Sequence, residues 1–349
     1  MRSIIVTGGT GFIGSHTCLL LLNNGFKLYI IDSEVNSSKN VLGQLSEILN
    51  FDSEEFRKKI VFFKGDIRNK NIIENVFETS KEKNEKIEAV FHFAGLKSVR
   101  ESNILPIKYW DNNVIGTMNL LKTMDKYDCK TLIFSSSATI YEPVKNRKLN
   151  EKDKLGPINI YGQTKLVIED ILQGIFNSSP EKWKIANLRY FNPIGAHKSG
   201  KIGEDPIGDA DNIFPIIIDV ANRKLEFLKI FGNNWGTPDG TCIRDYIHIM
   251  DLAEGHIAAF KFLLGNKPQI VNLNLGTGKG HSVLELVKTF QLANNIKVPY
   301  EFTARREGDT EYLVADNSLA ISLLNWIPKF TLYDMCKDGW NWGKIKTKF

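Results

Sequence analysis

The chain begins with an apolar run, Ile4-Ile5-Val6, that passes directly into Thr7-Gly8-Gly9-Thr10-Gly11-Phe12-Ile13-Gly14 and then into a helical pattern. No other stretch limits the possible folds as tightly. A glycine turn between a strand and a helix lets the backbone approach a pyrophosphate without a Cβ in the way, at Gly8 and Gly11. Gly14 lets the helix pack close to the strand. Phe12 and Ile13 open that helix, whose free N–H groups and positive dipole end suit phosphate. Asp32 closes the second apolar run about twenty residues on. A carboxylate there accepts hydrogen bonds from an adenosine ribose and repels a 2′-phosphate. The pattern therefore predicts a dinucleotide site that takes NAD rather than NADP.

Leu28–Ile31, Ile60–Phe63, Ala89–Phe93, Thr131–Phe134 and Ile185–Leu188 are further runs of near-continuous apolar character. Strands buried on both faces of a parallel sheet look like this. Stretches long enough for crossover helices, such as His16–Asn23 and Val114–Tyr127, lie between them. The expectation is an α/β chain with a doubly wound parallel sheet of the Rossmann type. After Tyr190 the rhythm changes, as Pro193, Gly195, Gly200, Gly203, Pro206 and Gly208 crowd one short stretch. A smaller α+β substrate domain is expected over 191–349, beside an NAD-binding domain over 1–190, with some later segments packing back on the first. A length of 349 residues suits two domains.

Hydrophobic residues make up 42% of the chain, which excludes general disorder, and a net charge of +5 leaves no nucleic-acid footprint. Cys18, Cys129, Cys242 and Cys336 have neither zinc-knuckle nor CxxC spacing and read as buried thiols of a reducing cytosol. The first strand leaves no room for a targeting peptide, and no apolar stretch reaches the ~20 residues of a membrane span. A cytoplasmic location is expected. The charged stretch Lys81–Lys86 reads as a solvated helix end or loop.

Gly276-Thr277-Gly278-Lys279-Gly280 imitates a second phosphate loop but lacks the GK[ST] ending. Ser282 and Glu285 form an S-x-x-E capping box instead, so the cluster reads as a turn into a helix over Val283–Phe290. The chemistry is elsewhere. Tyr161-Gly162-Gln163-Thr164-Lys165 sets a phenol and an ammonium at i and i+4 on one helix face. A free tyrosine, with a pKa near ~10, is a poor base at neutral pH. A neighbouring Lys⁺ and the charge of an oxidised nicotinamide would both lower it. Phe134-Ser135-Ser136-Ser137 ends a strand at the carboxyl edge, where α/β sheets hold ligands. Ser137 is placed to hydrogen-bond the substrate oxygen that Tyr161 deprotonates. His92 and His248 lie in apolar surroundings and read as satisfied core residues. No His, Cys or carboxylate cluster has metal-ligand spacing, so no metal is expected, and no G-x-S-x-G elbow marks a hydrolase.

In this order the motifs resemble the short-chain dehydrogenase/reductase family, in its extended branch that modifies nucleotide sugars, and most closely the 4-epimerases of that branch. Phe93-Ala94-Gly95-Leu96-Lys97, Asp111-Asn112-Asn113, Ser135-Ser136-Ser137-Ala138-Thr139, Arg189-Tyr190-Phe191-Asn192-Pro193, Arg244-Asp245-Tyr246-Ile247-His248 and Arg305-Arg306-Glu307-Gly308-Asp309 carry the resemblance. It runs from Gly8 to Asp316, nearly the whole chain. It implies that Asn36, Ser37, Asp66, Ile67, Phe93, Ala94, Gly95, Lys97, Asn112, Ser135 and Phe191 contact NAD, with Tyr161 and Lys165. It also implies that Ser137, Asn192, Asn212, Ile213, Phe231, Arg244, Arg306, Asp309 and Leu313 hold the UDP-sugar. Guanidinium groups such as Arg244 and Arg306 suit diphosphate oxygens.

The activity implied is reversible C4 epimerisation of UDP-galactose and UDP-glucose through a transient 4-keto sugar, with bound NAD as hydride carrier. A homodimer is implied as well. The alternative is an NAD-dependent nucleotide-sugar dehydratase or dehydrogenase of the same family. A dehydratase needs an added acid–base pair where this chain has Ala138 and Thr139, which argues against it. Two departures from the family pattern stand out. Glu142 replaces the usual glycine after Thr139-Ile140-Tyr141, and the residues between Asp309 and Asp316 differ, Leu313 lying where the family's residue borders the sugar.

Overall fold

The computed structural model describes residues 2–208, 210–306 and 308–346. The six apolar runs form the strands they predict: β1 (Ser3–Thr7), β2 (Lys27–Asp32), β3 (Ile60–Lys64), β4 (Ile87–His92), β5 (Thr131–Ser137) and β6 (Lys184–Tyr190). They lie in one seven-stranded sheet in the order β3-β2-β1-β4-β5-β6, followed by the segment Gln269–Leu275. The pairs from β3 to β5 are parallel. The chain therefore reverses its direction of travel between β1 and β4, the switch point at which such sheets hold ligands beyond their carboxyl ends.

Strands β1 and β2 are buried along their whole lengths, as helix cover on both faces requires. Helix α1 (Phe12–Asn23) follows β1, α2 (Gly116–Lys126) precedes β5 and α3 (Ile160–Ser178) precedes β6. A π-helical turn at Trp110–Ile115 leads into α2. The core of this region includes Ile5, Tyr29, Val90, Leu132, Phe134, Ile168 and Leu172.

Contacts divide the chain into two compact units. Unit 1 holds the chain up to Ile140, then Pro157–Arg189 and Ala253–Leu273; unit 2 holds Tyr141–Gly156, Tyr190–Leu252 and the chain from Asn274 onward. One passage between units, at Arg189/Tyr190, falls beside the expected boundary. Tyr141–Gly156, read from sequence as part of the first domain, belongs to unit 2.

Unit 2 contains α4 (Ile213–Ala221) and α5 (Val283–Asn294) among short strands. β7 (Asn192–Ile194) pairs with β10 (Tyr246–His248), and β8 (Leu228–Phe231) with β13 (Tyr300–Thr303). β9 (Ile243–Arg244) lies between β12 (His281–Ser282) and β14 (Tyr312–Leu313); β11 is Gln269–Leu275 of the large sheet. Its own core gathers Phe214, Ile217, Tyr246, Val287, Phe290 and Cys336. The Ser282/Glu285 capping box forms at the start of α5 as the sequence predicts.

All four cysteines are free and buried. The charged stretch is a solvated helix end, as read: a helix stops at Glu82, and residues 81–84 and Lys86 are exposed, while Glu85 turns in to accept from Lys27 Nζ at 2.7 Å and from the Tyr29 hydroxyl at 2.8 Å. Among the described residues no helix is long and apolar enough to cross a membrane, and no group of His, Cys, Asp and Glu could hold a metal ion.

Candidate active site

The glycine turn is shaped by two different demands. Gly8 has a φ of +71°, and a Cβ there would stand 2.6 Å from the Ala94 backbone nitrogen. A Cβ on Gly14 would stand 2.1 Å from the Gly8 carbonyl oxygen. The protein itself closes both positions to side chains. At Gly11 it does not, since φ is an ordinary −72° and a Cβ would meet only the Gly8 oxygen at 3.4 Å. That open space lies at the N-terminus of α1, where no side chain caps the helix. Space and backbone N–H groups at the positive end of a helix fit the pyrophosphate of a dinucleotide.

Asp32 is buried and accepts from Thr10 N at 3.0 Å, Glu34 N at 2.9 Å and Ser37 Oγ at 3.2 Å. It ties the glycine turn to the end of β2, and Ser37 braces the same corner through Thr10 Oγ1 at 2.7 Å. Phe93 N and Ala94 N both donate to the Thr7 carbonyl, at 3.0 and 3.1 Å, fixing the end of β4 beside that of β1. Asp66 pairs with Arg68 at 2.7 Å, which holds its carboxyl below the usual range, and Arg68 reaches on to Asp111 at 2.7 Å. Ile67 is buried and packs so close to Gly116 that a Cβ there would clash at 2.7 Å. Asn36 and Lys97 are exposed. Phe191 is buried in unit 2, its N–H donating to the Leu275 carbonyl at 3.3 Å.

Asn113, beside the expected Asn112, proves to be a clamp that sequence reasoning passed over. Its side chain accepts from Leu96 N at 2.8 Å and donates to Leu96 O and Thr164 Oγ1, each at 3.1 Å. It joins the loop after β4, which holds Gly95, to α3. His92 is the satisfied core residue expected: its ring nitrogens meet Thr7 Oγ1 at 2.7 Å and Thr117 Oγ1 at 2.8 Å, and burial pushes its pKa down to about 3. His248 is fully buried, accepting from Met250 N and stacking on Phe330, but it is not the satisfied residue expected, for its Nε2, 3.4 Å from Asp338, makes no hydrogen bond.

The catalytic candidates converge at the carboxyl end of β5. Asn159 caps α3 by accepting from Gly162 N at 2.8 Å, and Ser102 Oγ accepts from Tyr161 N at 3.1 Å. A Cβ on Gly162 would stand 2.6 Å from the Thr139 carbonyl, so the first turn of α3 rests directly on the turn after β5. That contact brings the Tyr161 phenol towards the Ser137 hydroxyl, whose influence holds the phenol's pKa down. Ser137 Oγ also accepts from Thr139 N at 3.2 Å and Thr139 Oγ1 at 2.9 Å. Lys165 is buried; its Nζ donates to the Ser135 carbonyl at 2.6 Å and lies 5.8 Å from the Tyr161 ring centroid.

Burial pushes Lys165 down to about 7, against the opposing pull of Glu169. It pushes Tyr161 up to about 12, with the Ser137 hydroxyl opposing. The lowering expected from Lys165 is not among the influences on the phenol, which desolvation dominates.

In unit 2 the residues expected to hold the nucleotide support one another. The Arg306 guanidinium lies over the Phe231 ring at 4.2 Å, and Asp309 N donates to the Arg306 carbonyl at 3.2 Å. Asp309 lies 3.6 Å from Arg244, whose Nη1 donates to the Thr310 carbonyl at 2.8 Å. Leu313 pairs with Arg244 across β14 and β9. Asn192 joins through its N–H to the Asp245 carbonyl at 2.9 Å, and its side-chain Oδ1 is buried with no partner. Asn212 stands before α4 and donates to Glu204 at 2.7 Å, with Ile213 opening the helix. The second glycine cluster is a turn, as read: Asp245 accepts from Thr277 N at 2.8 Å, Gly278 N at 2.9 Å and Ala315 N at 3.1 Å. Its amides serve that buried carboxylate rather than a phosphate. Glu142 pairs with Lys154 at 2.9 Å on an exposed bridge, and its φ lies outside the left-handed region.

A family model described as GDP-mannose 4,6 dehydratase matches residues 5–339. The UDP-glucose 4-epimerase of Bacillus subtilis (strain 168) is 46% identical over 340 residues, covering 97% of this chain and 96% of that protein. The UDP-glucose 4-epimerase of Stenotrophomonas maltophila, solved with bound NAD and formylated UDP-arabinopyranose, superposes with a TM-score of 0.92 at 39% identity, covering 100% of this chain and 99% of that one. That of Bifidobacterium longum, in complex with NAD+ and UDP, gives 0.91 at 40% identity with 99% of each chain covered. The chain belongs to the extended short-chain dehydrogenase/reductase family, among its UDP-glucose 4-epimerases.

Proposed function

We propose that the chain interconverts UDP-galactose and UDP-glucose by reversible oxidation and reduction at C4, through a transient 4-keto sugar. The observation that carries this reading is the gathering of Ser137, Tyr161 and Lys165 where β5 ends and α3 begins, in the same parallel sheet as β1 and its glycine turn. Bound NAD supplies the hydride acceptor and donor and, when oxidised, a positive charge that favours the Tyr161 phenolate. Tyr161 takes the proton of the 4-hydroxyl, Ser137 holds the same oxygen, and the Lys165 ammonium makes the phenolate less costly. Gly11, the start of α1 and Asp32 hold the dinucleotide, with the residues at the ends of β3, β4 and β5 around it.

Unit 2 binds UDP: Arg244 and Arg306 take the diphosphate, and Asn192, Asn212, Ile213, Phe231, Asp309 and Leu313 complete the nucleotide and sugar contacts. Affinity anchored on the nucleotide leaves the 4-keto sugar free to present its other face before reduction, which inverts C4. A dehydratase is disfavoured because Thr139, at the place of its extra acid, already donates to Ser137. Incubation with UDP-galactose and no added cofactor tests the proposal. UDP-glucose should appear without net reduced nicotinamide; a 4-keto-6-deoxy product or accumulating NADH would overturn it.

The working form is a cytoplasmic homodimer. A second copy covers Ile104, Leu105, Ile107 and Ile115, apolar side chains exposed between 45% and 82% on successive helical turns of unit 1. The buried free thiols suit a reducing compartment. A monomer by light scattering, or an active dimer after Ile107→Glu, would remove this interface.

A further inference from the structure

Beneath the catalytic group lies a charged cluster that the chemistry above leaves unused. Glu169 and Arg189 are 5% and 2% exposed, and they form a bidentate pair, Arg189 Nη2 to Glu169 Oε2 at 2.6 Å and Nε to Oε1 at 3.1 Å. Ser136 Oγ donates to the same carboxylate. Glu169 follows Lys165 by one helical turn, as Lys165 follows Tyr161, so one face of α3 meets three successive residues of β5. Tyr161 meets the Ser137 hydroxyl, Lys165 the Ser135 carbonyl and Glu169 the Ser136 hydroxyl. Arg189, near the end of β6, locks the arrangement from the neighbouring strand.

Stability alone does not call for such a pair. Desolvating two charges costs about what their attraction returns, and well-packed apolar residues do as well or better. What an apolar pair could not supply is a defined register and a defined charge beside Lys165.

We propose that Glu169 and Arg189 are positioning residues of the catalytic group, holding α3 in register on β5 and setting the charge that Lys165 experiences. The groups facing Lys165 are few. Ser135 and the Phe134 ring face it from β5, and Tyr161 and Glu169 from its own helix. His92 faces it from β4 and is held neutral by burial. Glu169 supplies the anionic influence on Lys165, and Arg189 balances Glu169 from β6. Removing the negative charge leaves Arg189 unbalanced and drives the proton off Lys165 at lower pH. Removing Arg189 leaves a bare carboxylate that holds that proton to higher pH.

The inference rests on Tyr161 and Lys165 being the catalytic pair, and the test is the pH profile of kcat for the holoenzyme with UDP-galactose. Glu169→Gln should move the alkaline limb to lower pH by about one unit or more, and Arg189→Met should move it to higher pH. The double variant, with charge balance restored, should return near the wild-type position. Glu169→Asp keeps the charge but shortens its reach, so kcat should fall several-fold, by roughly 3–10-fold, with the limb in place. KM for UDP-galactose should change less than kcat throughout. Limbs that stay put in both single variants, or move in the same direction, would reduce the pair to a structural one, as would a shifted limb in Glu169→Asp if the single variants do not fold. A fully active Tyr161→Phe enzyme would instead overturn the catalytic reading and leave the question of register to be decided by the Asp variant alone.

Discussion

Units 1 and 2 build their sites in opposite ways. In unit 1 the residues expected to do the chemistry hang from regular elements: Ser135 and Ser137 end β5, Tyr161 and Lys165 occupy the first turns of α3, and Asp32 closes β2 in the same sheet as β5. In unit 2 Phe231, Arg244 and Leu313 sit on strands of two to four residues and Arg306 and Asp309 on a turn, and they hold one another, as Arg306 stacks on Phe231 and Asp309 leans on Arg244. Proton transfer tolerates little misplacement, which rigid elements suit. Nucleotide binding spread over several contacts asks less precision of each. Substitutions in unit 1 should therefore strike kcat, and those in unit 2 should strike KM.

The largest effect belongs to Tyr161→Phe. The ring and its packing are kept, while the proton acceptor is lost, so kcat should fall ~10²–10⁴-fold with UDP affinity intact by calorimetry. A Phe variant within a few-fold of wild type would place the base elsewhere, Ser137 being the first suspect. The two glycines separate binding from folding within unit 1. Gly11→Ala should keep its thermal stability yet lose retained NAD, because its Cβ enters only the space left for ligand. Gly14→Ala should lose stability by about 1–3 kcal/mol, since its Cβ meets the Gly8 carbonyl. Thermal melts with and without added NAD distinguish them; equal behaviour of the two variants would mean that Gly11 serves the protein rather than the cofactor.

The same contrast governs how much the sequence discloses. Unit 1 was legible because its strands are continuous apolar runs and its motifs sit at strand ends, where the pattern dictates position. Dinucleotide turn, acid and YxxxK pair followed from local chemistry alone. The residues that orient them did not. Asn113, Asn159, Gly162 and the Glu169–Arg189 pair act through contacts between elements distant in sequence, which no periodicity announces. The phenol is a further lesson, for the sequence shows Lys165 near Tyr161 but not the burial that raises the phenol's pKa. In unit 2 the strands are too short to read, so only resemblance singles out Arg244 and Arg306. Only the register of β9 and β14 shows that Leu313 stands beside Arg244. Likewise, the excursion of Tyr141–Gly156 into unit 2 has no compositional mark.

On the unit 2 side, Arg244→Leu should raise KM for UDP-galactose by roughly 10–100-fold, the worth of a charge-assisted contact to a diphosphate, while kcat changes little. Arg306→Leu should do the same and also loosen Phe231, on which its guanidinium rests. Steady-state kinetics decides it. A loss confined to kcat in either variant would break the division between the units, since an affinity group would then be acting on the reacting carbon.

The smallest effect concerns the sugar. Parallel pairing of β14 with β9 sets Leu313 level with Arg244, and both side chains leave the same face of this small sheet. A nucleotide sugar held at its diphosphate by Arg244 then runs past residue 313. Leucine is smaller than tyrosine, and it cannot hydrogen-bond an acetamido group. UDP-galactose should thus be preferred, with weaker turnover of UDP-N-acetylgalactosamine. Leu313→Tyr fills the space that the acetamido group needs, and overlap of that kind costs about 1–3 kcal/mol where the surroundings cannot relax. Leu313 is only partly buried, so part of the overlap can be relieved by movement, which sets the expected loss near the lower end, about tenfold in kcat/KM. That loss should fall on the N-acetyl substrate alone, leaving UDP-galactose within about twofold of wild type. Because unit 2 acts on binding, the change should appear in KM before kcat. Equal efficiency on both substrates in the wild-type enzyme, or an N-acetyl activity that survives Leu313→Tyr, would show that the pocket is gated by another residue.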